Sequence, residues 1–328
     1  MEGSSSNCLK CHAWPSSCAS ILALSIVPSY RVTLDDSIVY ELLLSFLLYK
    51  RRKNLKYLYK GINWVEEVNA KLTDQYKNKL EQFEDVSFGD VLCLIIEGCP
   101  QKEDIHSFLN WFQKASITTL YELLVPHLKK EDSYLLLDLE NQKKNYFYFL
   151  SEWYNQYFKF ENIEKKITNE ASKFSKKAEK YSPEKLVEVF ATGLKIEIST
   201  IKDVVLIPSL HFRPLHTFSI FKEKIFVWYP VNFEESREDI FNISKALADQ
   251  KRLEILQFLS RNKYKFTDIL NYIGGAKGNL HHHLMILRSA HLIRVHLSSN
   301  NQFYLSTRTE FATEFKEKMI DFIQNTDA

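Results

Sequence analysis

The sequence ALADQKRLEILQFLSRNKYKFTDILNYIGGAKGNLHHHLMILRSAHLIRVHLSSNNQFYLS, residues Ala246–Ser306, decides the fold of the C-terminal part of this 328-residue chain. It opens with apolar residues at helical spacing, and they follow Asp249, a residue type that often starts helices. A second helical stretch follows Thr267, the predicted N-cap, and ends at Gly274 and Gly275, which tolerate the left-handed backbone that closes a helix. Because this turn is short, we expect the second and third helices to cross steeply.

The third helix is predicted between Lys277 and Ser289. One apolar stripe along it consists of Leu280, Leu284 and Leu287. The other sides carry Lys277, Gly278, His281, His282, Met285 and Ser289. Two short strands, Leu292–Leu297 and Gln302–Leu305, then flank a polar tip of Ser and Asn residues. This layout predicts a winged helix-turn-helix, whose third helix enters the major groove of DNA while the hairpin tip lies against phosphates.

The segments LADQKRLEIL and GGAKGNLHHHLMILRSAHLIRV resemble the ArsR-type winged-helix regulators of prokaryotes over about 70 residues of the chain. The family pattern is Leu-Ala-Asp, then Arg-Leu, then two His and Leu-x-x-Leu-Arg-x-Ala. It is matched by Leu247, Ala248, Asp249, Arg252, Leu253, His282, His283, Leu284, Leu287, Arg288 and Ala290. His291 stands where the family usually has glycine, so we expect a left-handed backbone that histidine tolerates less well than glycine.

Many members of that family sense metals through Cys-x-Cys on the first helix of the pair, or through Asp and His on the C-terminal helix. The corresponding stretches, 267–270 and 308–325, contain no Cys and no His respectively, so we expect neither a metal site nor a cofactor. His281, His282 and His283 are helix neighbours about 100° apart, which prevents them from converging on one ion. We expect His281 and His282 to face DNA and His283 to pack partly inward, with metal binding as the alternative.

Charge is distributed unevenly along the chain. Residues 237–308 hold 11 Lys and Arg against 5 Asp and Glu, a net charge of +6, whereas the remainder holds 32 against 36, a net charge of −4. A basic unit suits polyanion binding, because Lys and Arg contacts to phosphate supply most of the affinity. An ordinary solvated surface is the alternative. The predicted DNA contacts are Lys277, Asn279, His281 and His282 to bases or nearby phosphates, and Arg288, Arg294, Asn300 and Asn301 to the backbone.

The first 30 residues are unusual in composition. Cys8, Cys11 and His12 match the haem-attachment spacing Cys-x-x-Cys-His, but no basic-then-apolar export signal precedes them. Haem attachment, zinc binding and a disordered leader or mis-assigned start remain open, and the leader or mis-assigned start is favoured. Cys93 and Cys99 lie in apolar sequence and are expected to be buried thiols of a reducing cytoplasm. No apolar run reaches the roughly 18 residues of a membrane span, so we expect no membrane association.

Between these ends the pattern changes from helical to extended. Residues 33–174 have the periodicity of amphipathic helices. Residues 193–229 contain β-branched and aromatic residues, either alternating with polar residues or in continuous runs, which predicts three or four strands. We expect the aromatic stripe over 146–158 to be core, with a ligand pocket as the alternative. The segment Pro208–Pro214 is expected to be a turn pinned by two prolines, or an effector site in which His211 and Arg213 hold an anion.

Together these patterns predict an α+β fold in which a mostly helical N-terminal domain, ending in a small β-sheet, joins a C-terminal winged helix-turn-helix. The predicted boundaries are 1–30 leader, 31–234 accessory, sensor or dimerisation domain, 235–307 DNA-binding domain, and 308–328 a C-terminal helix for dimerisation or for packing on its own domain. We find no catalytic motif and expect no enzyme. The predicted function is a homodimeric, cytoplasmic transcriptional repressor of double-stranded DNA, released by a small-molecule effector. A winged-helix protein-interaction module is the alternative.

Overall fold

The computed structural model describes residues 30–84, 87–167, 169–231, 237–299 and 302–324. The helices of the N-terminal part are α1 (Ile38–Arg51), α2 (Asn63–Asn69), α3 (Asp74–Gln82), α4 (Leu92–Gly98), α5 (Ile105–Lys114), α6 (Ile117–Leu124), α7 (Leu139–Gln156), α8 (Glu164–Ile167), α9 (Glu170–Ala178) and α10 (Pro183–Phe190). The C-terminal helices are α11 (Arg237–Leu247), α12 (Gln250–Leu259), α13 (Phe266–Ile273), α14 (Lys277–Ser289) and α15 (Phe311–Gln324). The strands are β1 (Arg31–Leu34), β2 (Leu194–Glu197), β3 (Asp203–Ser209), β4 (Thr217–Ile220), β5 (Lys224–Pro230), β6 (Ile293–Ser298) and β7 (Gln302–Thr307). Short 3₁₀ helices include Leu55–Tyr57 and Phe158–Phe160.

Helix α1 forms the centre of the N-terminal helical layer. Its residues from Ile38 to Tyr49 are all buried, because apolar residues predominate on every side of the helix. The ring of Phe46 contacts three rings of α7, those of Tyr146, Phe149 and Trp153, at centroid distances of 6.1 Å. The aromatic stripe of α7 therefore belongs to the hydrophobic core, in agreement with the core interpretation of the sequence.

A mixed sheet lies against this helical layer in the order β1-β3-β5-β4. Strands β1, β3 and β5 are parallel, and β4 pairs antiparallel with β5 at the edge. Alternate residues of β3 divide between two clusters: Val205 packs with the helical layer, and Val204 packs with α10 and β2 on the opposite face. Both faces are thus covered, as the continuous apolar runs of β3 and β5 predict.

A buried polar network joins the helical layer to the loop after β3. The Oε1 atom of Glu41 accepts hydrogen bonds from the backbone N–H groups of Leu210 (2.8 Å) and His211 (2.7 Å), and lies 2.7 Å from His211 Nδ1. The other ring nitrogen of His211 lies 2.8 Å from Tyr157 Oη, which also accepts from Trp64 Nε1 at 2.9 Å. His211 is completely buried and uses both ring nitrogens, so it is part of the fold and is not placed to bind an anionic effector.

The C-terminal unit follows its sequence signals closely. The Asp249 side chain caps α12 by accepting from the backbone N–H of Arg252 at 3.0 Å. Gly274 and Gly275 have φ values of +73° and +89°, and His291 has a φ of +56°, as expected where a helix must stop. The predicted N-cap Thr267 is wrong: α13 begins at Phe266, because Asp268 accepts a hydrogen bond from the backbone N–H of Lys265.

The wing sheet includes a strand from the N-terminal part of the chain. Strand β2 pairs in parallel with β6, and β6 pairs antiparallel with β7. Val295 and Leu297 of β6 therefore pack in the cluster that contains β2, α10 and one face of the larger sheet. The domain boundary at residue 235 remains a prediction. The pairing of β2 with β6 crosses this boundary and orients the winged unit relative to the N-terminal part of the chain.

Three further expectations concern the cysteines and the membrane. Cys93 and Cys99 are buried free thiols, as predicted. Cys8, Cys11 and His12 lie outside the described residues. Within the described ranges, no helix combines the length and the apolar character needed to cross a membrane.

Candidate nucleic-acid interface

The first two turns of α14 form the most accessible part of the winged unit's third helix. Lys277, Asn279, His281 and His282 are exposed, while Leu280 is buried in the core that α14 shares with α12 and α13. Ala276 precedes the helix and offers no side chain to cap its first N–H groups. Those N–H groups, with the positive end of the helix dipole, are suited to contacting a phosphate.

The C-terminal half of the same outer face packs against the rest of the chain. Met285 is buried in the hydrophobic cluster of the N-terminal helical layer. The guanidinium of Arg288 lies next to it, with Nη1 3.8 Å from Met285 Sδ, and burial lowers the pKa of Arg288 to about 10. A phosphate contact from Arg288 therefore requires α14 to leave this packing. The N-terminal part of the chain packs against this half of the helix, while Lys277, Asn279, His281 and His282 of the first two turns remain exposed.

Arg294 on β6 already has anionic partners within the chain. Its Nε lies 2.9 Å from Glu188 Oε1 and its Nη2 lies 2.5 Å from Glu310 Oε1. Burial by itself raises the pKa of Glu188, but the hydrogen bonds and charges of Lys195 and Arg294 outweigh burial and leave the pKa below its usual range. Ion pairs within the chain therefore neutralise most of the charge of Arg294, and the pair with Glu188 holds β6 to α10.

Asn300 and Asn301, the remaining predicted contacts, lie outside the described residues. The predicted inward packing of His283 agrees with its half-buried position, where Nδ1 lies 3.8 Å from Asp249 Oδ1. Its ring is 6.1 Å from that of His282, and the two are inclined by 49°. No group of three or more His, Cys, Asp or Glu residues that could hold a metal ion occurs in the part of the chain that the structure describes.

A contact that sequence reasoning missed brings the N-terminal part of the chain beside α14. Tyr57, in the 3₁₀ helix Leu55–Tyr57, places its Oη 3.0 Å from Nδ1 of His282, and the two ring centroids are 5.7 Å apart. Burial, followed by the nearby charge of Lys56, lowers the pKa of His282, so its imidazole is neutral at pH 7. The basic run KRRKNLK at 50–56 was visible in the sequence, but nothing local placed it next to residue 282.

The C-terminal helix α15 packs on its own unit and also exposes apolar side chains. Phe311 packs against the core of the winged unit, and Lys318 Nζ lies 3.0 Å from Asp239 Oδ2 of α11. On the solvent side, Ile323 of α15 is 65% exposed and Phe241 of α11 is 64% exposed. Both predicted roles of this helix, packing and dimerisation, therefore have side chains available to them.

The helix pair, the exposed third helix and the hairpin define the C-terminal unit as a winged helix-turn-helix. Residues 249–295 match the family described as "Bacterial regulatory protein, arsR family". This part of the chain is therefore similar to the ArsR family in sequence and has the winged helix-turn-helix fold.

Among the solved structures similar to the chain are two determinations from Mycobacterium bovis, each of a fragment 1–100. One is a solution structure of the homodimeric winged helix-turn-helix DNA-binding domain of Mb0332, a possible ArsR-family transcriptional regulator, with 18% identity, covering 30% of this chain and 94% of that one, at a TM-score of 0.22. The other is a crystal structure of a possible transcriptional regulatory protein, with 20% identity, covering 26% and 94%, at a TM-score of 0.22. No curated protein sequence is significantly similar to the chain.

Proposed function

We propose that the chain is a sequence-specific, cytoplasmic DNA-binding repressor that reads the major groove with the first two turns of α14. The observation that carries the proposal is the exposure of Lys277, Asn279, His281 and His282 on a helix whose opposite stripe is buried and whose C-terminal half is buried or half-buried. Asn and neutral His supply hydrogen bonds to base edges, while Lys277 and the uncapped N–H groups suit phosphate oxygens. Each group thus has a distinct role in one contact surface.

Salt-dependent DNA binding tests this function against the alternative of a protein-interaction module. A duplex selected from a random-sequence pool by the full chain would be compared with a scrambled duplex of equal length by fluorescence anisotropy. A DNA reader should prefer the selected duplex and should lose affinity steeply as salt rises, because bound counterions are released on association. Selection that enriches no sequence, together with weak binding that is indifferent to salt, would favour the protein-interaction module.

We expect His282→Ala to weaken binding to the selected duplex by roughly 5- to 150-fold, the effect of losing about 1–3 kcal/mol from a base-edge contact. Binding to the scrambled duplex should change little, because a neutral imidazole adds no charge for phosphate. His106→Ala on α5 provides the control, since His106 is also exposed. Equal loss on both duplexes would show that His282 does not read a base.

We further propose that the protein acts as a homodimer through the exposed apolar surface of α11 and α15. A single recognition helix reads few base pairs, and two half-sites about 34–36 Å apart provide the usual remedy. Phe241 and Ile323 supply apolar area at this surface, as a dimer interface requires. The opposite face of α15 is already used by packing on α11, so dimerisation does not need to displace it.

Ile323→Glu should convert a dimer to a monomer in sedimentation velocity, because a buried unpaired carboxylate is costly at an interface. Affinity for a duplex with two half-sites should then fall at least about tenfold, since the two units no longer bind as one. Thr313→Glu, at an exposed polar position on the same helix, adds the same single negative charge and is the control. A wild-type chain that sediments as a monomer at concentrations where it binds DNA would refute the dimer.

A cavity between α1 and the edge strand β4 offers a binding site for an effector that would control release from DNA. The cavity has a volume of about 550 Å³, and its lining includes Leu43, Leu47, Phe218 and Trp228. The Nε1 atom of Trp228 is buried without a hydrogen-bond partner among the described residues, so a ligand acceptor would satisfy it. Small, largely apolar compounds that carry a hydrogen-bond acceptor would be screened for those that raise the melting temperature of the protein. Binding that leaves DNA affinity unchanged would contradict the effector role.

A further inference from the structure

The segment 52–57 of the N-terminal part lies along the exposed end of the recognition helix α14. Arg52, Lys56 and Tyr57 line one groove together with Gly278 and His281 of α14. The groove has a volume of about 690 Å³. One wall of the groove is therefore α14, which carries the predicted base contacts, and the opposite wall is the strongly basic segment 52–57.

The cations of this segment differ in what they contact. Arg51 pairs with Asp90 at 2.8 Å, and Lys60 pairs with Glu161 at 3.0 Å. In contrast, the exposed side chains of Arg52 and Lys56 lie over aromatic rings, with Arg52 Cζ 5.8 Å from the Tyr49 ring centroid and Lys56 Nζ 5.0 Å from the Tyr57 centroid. Such contacts leave the positive charge available to an anion. Glu66 is the one carboxylate among the described residues that line the groove.

The groove is held in place by the junction between the two parts of the chain. Met285 packs in the helical layer, β2 pairs with β6, and Arg294 bonds to Glu188. In addition, the hydroxyl of Tyr57 contacts His282 directly. These contacts fix the positions of Arg52 and Lys56 relative to α14.

We propose that Arg52 and Lys56 contact the sugar–phosphate backbone beside the base pairs that α14 reads, which makes the DNA interface a composite of both parts of the chain. The proposal rests on the proposed function and extends it to a surface outside the winged unit. The major groove is about 12 Å wide and is bordered by phosphates on both sides. Cations that flank a helix in this groove therefore lie where the backbone passes. Tyr57 acts as a positioning residue, because a hydroxyl that donates to Nδ1 of His282 leaves Nε2–H to donate to a base.

The test compares the full chain with the double variant Arg52→Gln, Lys56→Gln. Affinity for the selected and the scrambled duplex would be measured from about 0.05 to 0.3 M KCl. Loss of two phosphate contacts should reduce the slope of log affinity against log salt by roughly 1.8, and should weaken binding at 0.15 M by roughly 10- to 30-fold. Both duplexes should be affected equally, since phosphate contacts carry no sequence information. The double variant Lys176→Gln on α9 and Lys180→Gln just after it is the charge-matched control, and both of its positions are exposed.

Two single variants sharpen the result. Glu66→Gln should tighten binding to both duplexes, because it removes the carboxylate from the groove lining. Tyr57→Phe should reduce the preference for the selected duplex and leave the salt slope unchanged. Melting curves of all variants would establish that each remains folded.

The outcomes separate this proposal from the function on which it rests. A wild-type chain that binds neither duplex refutes the DNA-binding function itself. A wild-type chain that binds with a steep salt slope, while the Arg52, Lys56 double variant matches the control in slope and affinity, overturns only the composite interface. Tighter binding by the double variant would also overturn it, because the segment would then obstruct DNA.

Discussion

Replacing His211 by alanine is expected to lower the free energy of unfolding by about 3–5 kcal/mol, the largest stability effect that we predict for a single site. The reason is the carboxylate of Glu41, which is completely buried on α1. Its Oε1 loses the imidazole at 2.7 Å and keeps two backbone donors, and Tyr157 Oη loses the other ring nitrogen. A buried charge and a buried hydroxyl are then both less well satisfied than before.

Urea unfolding followed by circular dichroism measures this loss. His106→Ala is the control, because His106 is exposed and its replacement should change stability by no more than about 0.5 kcal/mol. Glu41→Gln should cost less than His211→Ala, since it removes the buried charge but keeps an acceptor for the backbone N–H groups. A loss below about 1 kcal/mol for His211→Ala would show that the network does not stabilise the junction of helices and sheet.

The sequence predicted the winged unit well because its signals are local. Lys277 and Ser289 bound α14 as expected, since Gly274 and Gly275 end the preceding helix and a polar tip separates the two strands. The N-cap of α13 was misplaced because Thr267 is a favoured N-cap residue and Lys265, where the helix is capped, is not. The choice depends on the hydrogen bond that the Asp268 side chain makes.

What the sequence did not predict depends on contacts between distant residues. Strand β1 has only four residues and pairs with β3, 172 positions away, so no periodic pattern revealed it. The same holds for Tyr57 and His282, which are 225 positions apart. The net charge of +6 counted Arg288 and Arg294 as available cations, whereas packing half-buries the first and ion pairs neutralise the second. Local composition therefore located the reading helix but not the cations that accompany it.

Gly278→Glu is expected to abolish measurable binding to the selected duplex, a loss of at least about 100-fold, without lowering the melting temperature. Gly278 lies in the first turn of α14, on the side facing the groove shared with Arg52 and Lys56. A Cβ added there meets no atom within 4 Å, so the fold accommodates a side chain. Glutamate is also a better helix former than glycine by roughly 0.5–1 kcal/mol. A negative charge in the first turn stabilises the helix further, because it interacts favourably with the positive end of the helix dipole. The same charge would face phosphates, and repulsion there opposes association.

The contrast between stability and binding makes this variant informative. Gly278→Ala adds the same helix preference without the charge and should bind the selected duplex within a few-fold of wild type. Melting temperature and fluorescence anisotropy would be measured on the same preparations. If Gly278→Glu melted no lower than wild type and still bound the selected duplex normally, the first turn of α14 would lie outside the DNA interface. Binding would then have to use another surface of the winged unit, because a carboxylate added at this position would otherwise face the phosphates of the selected duplex.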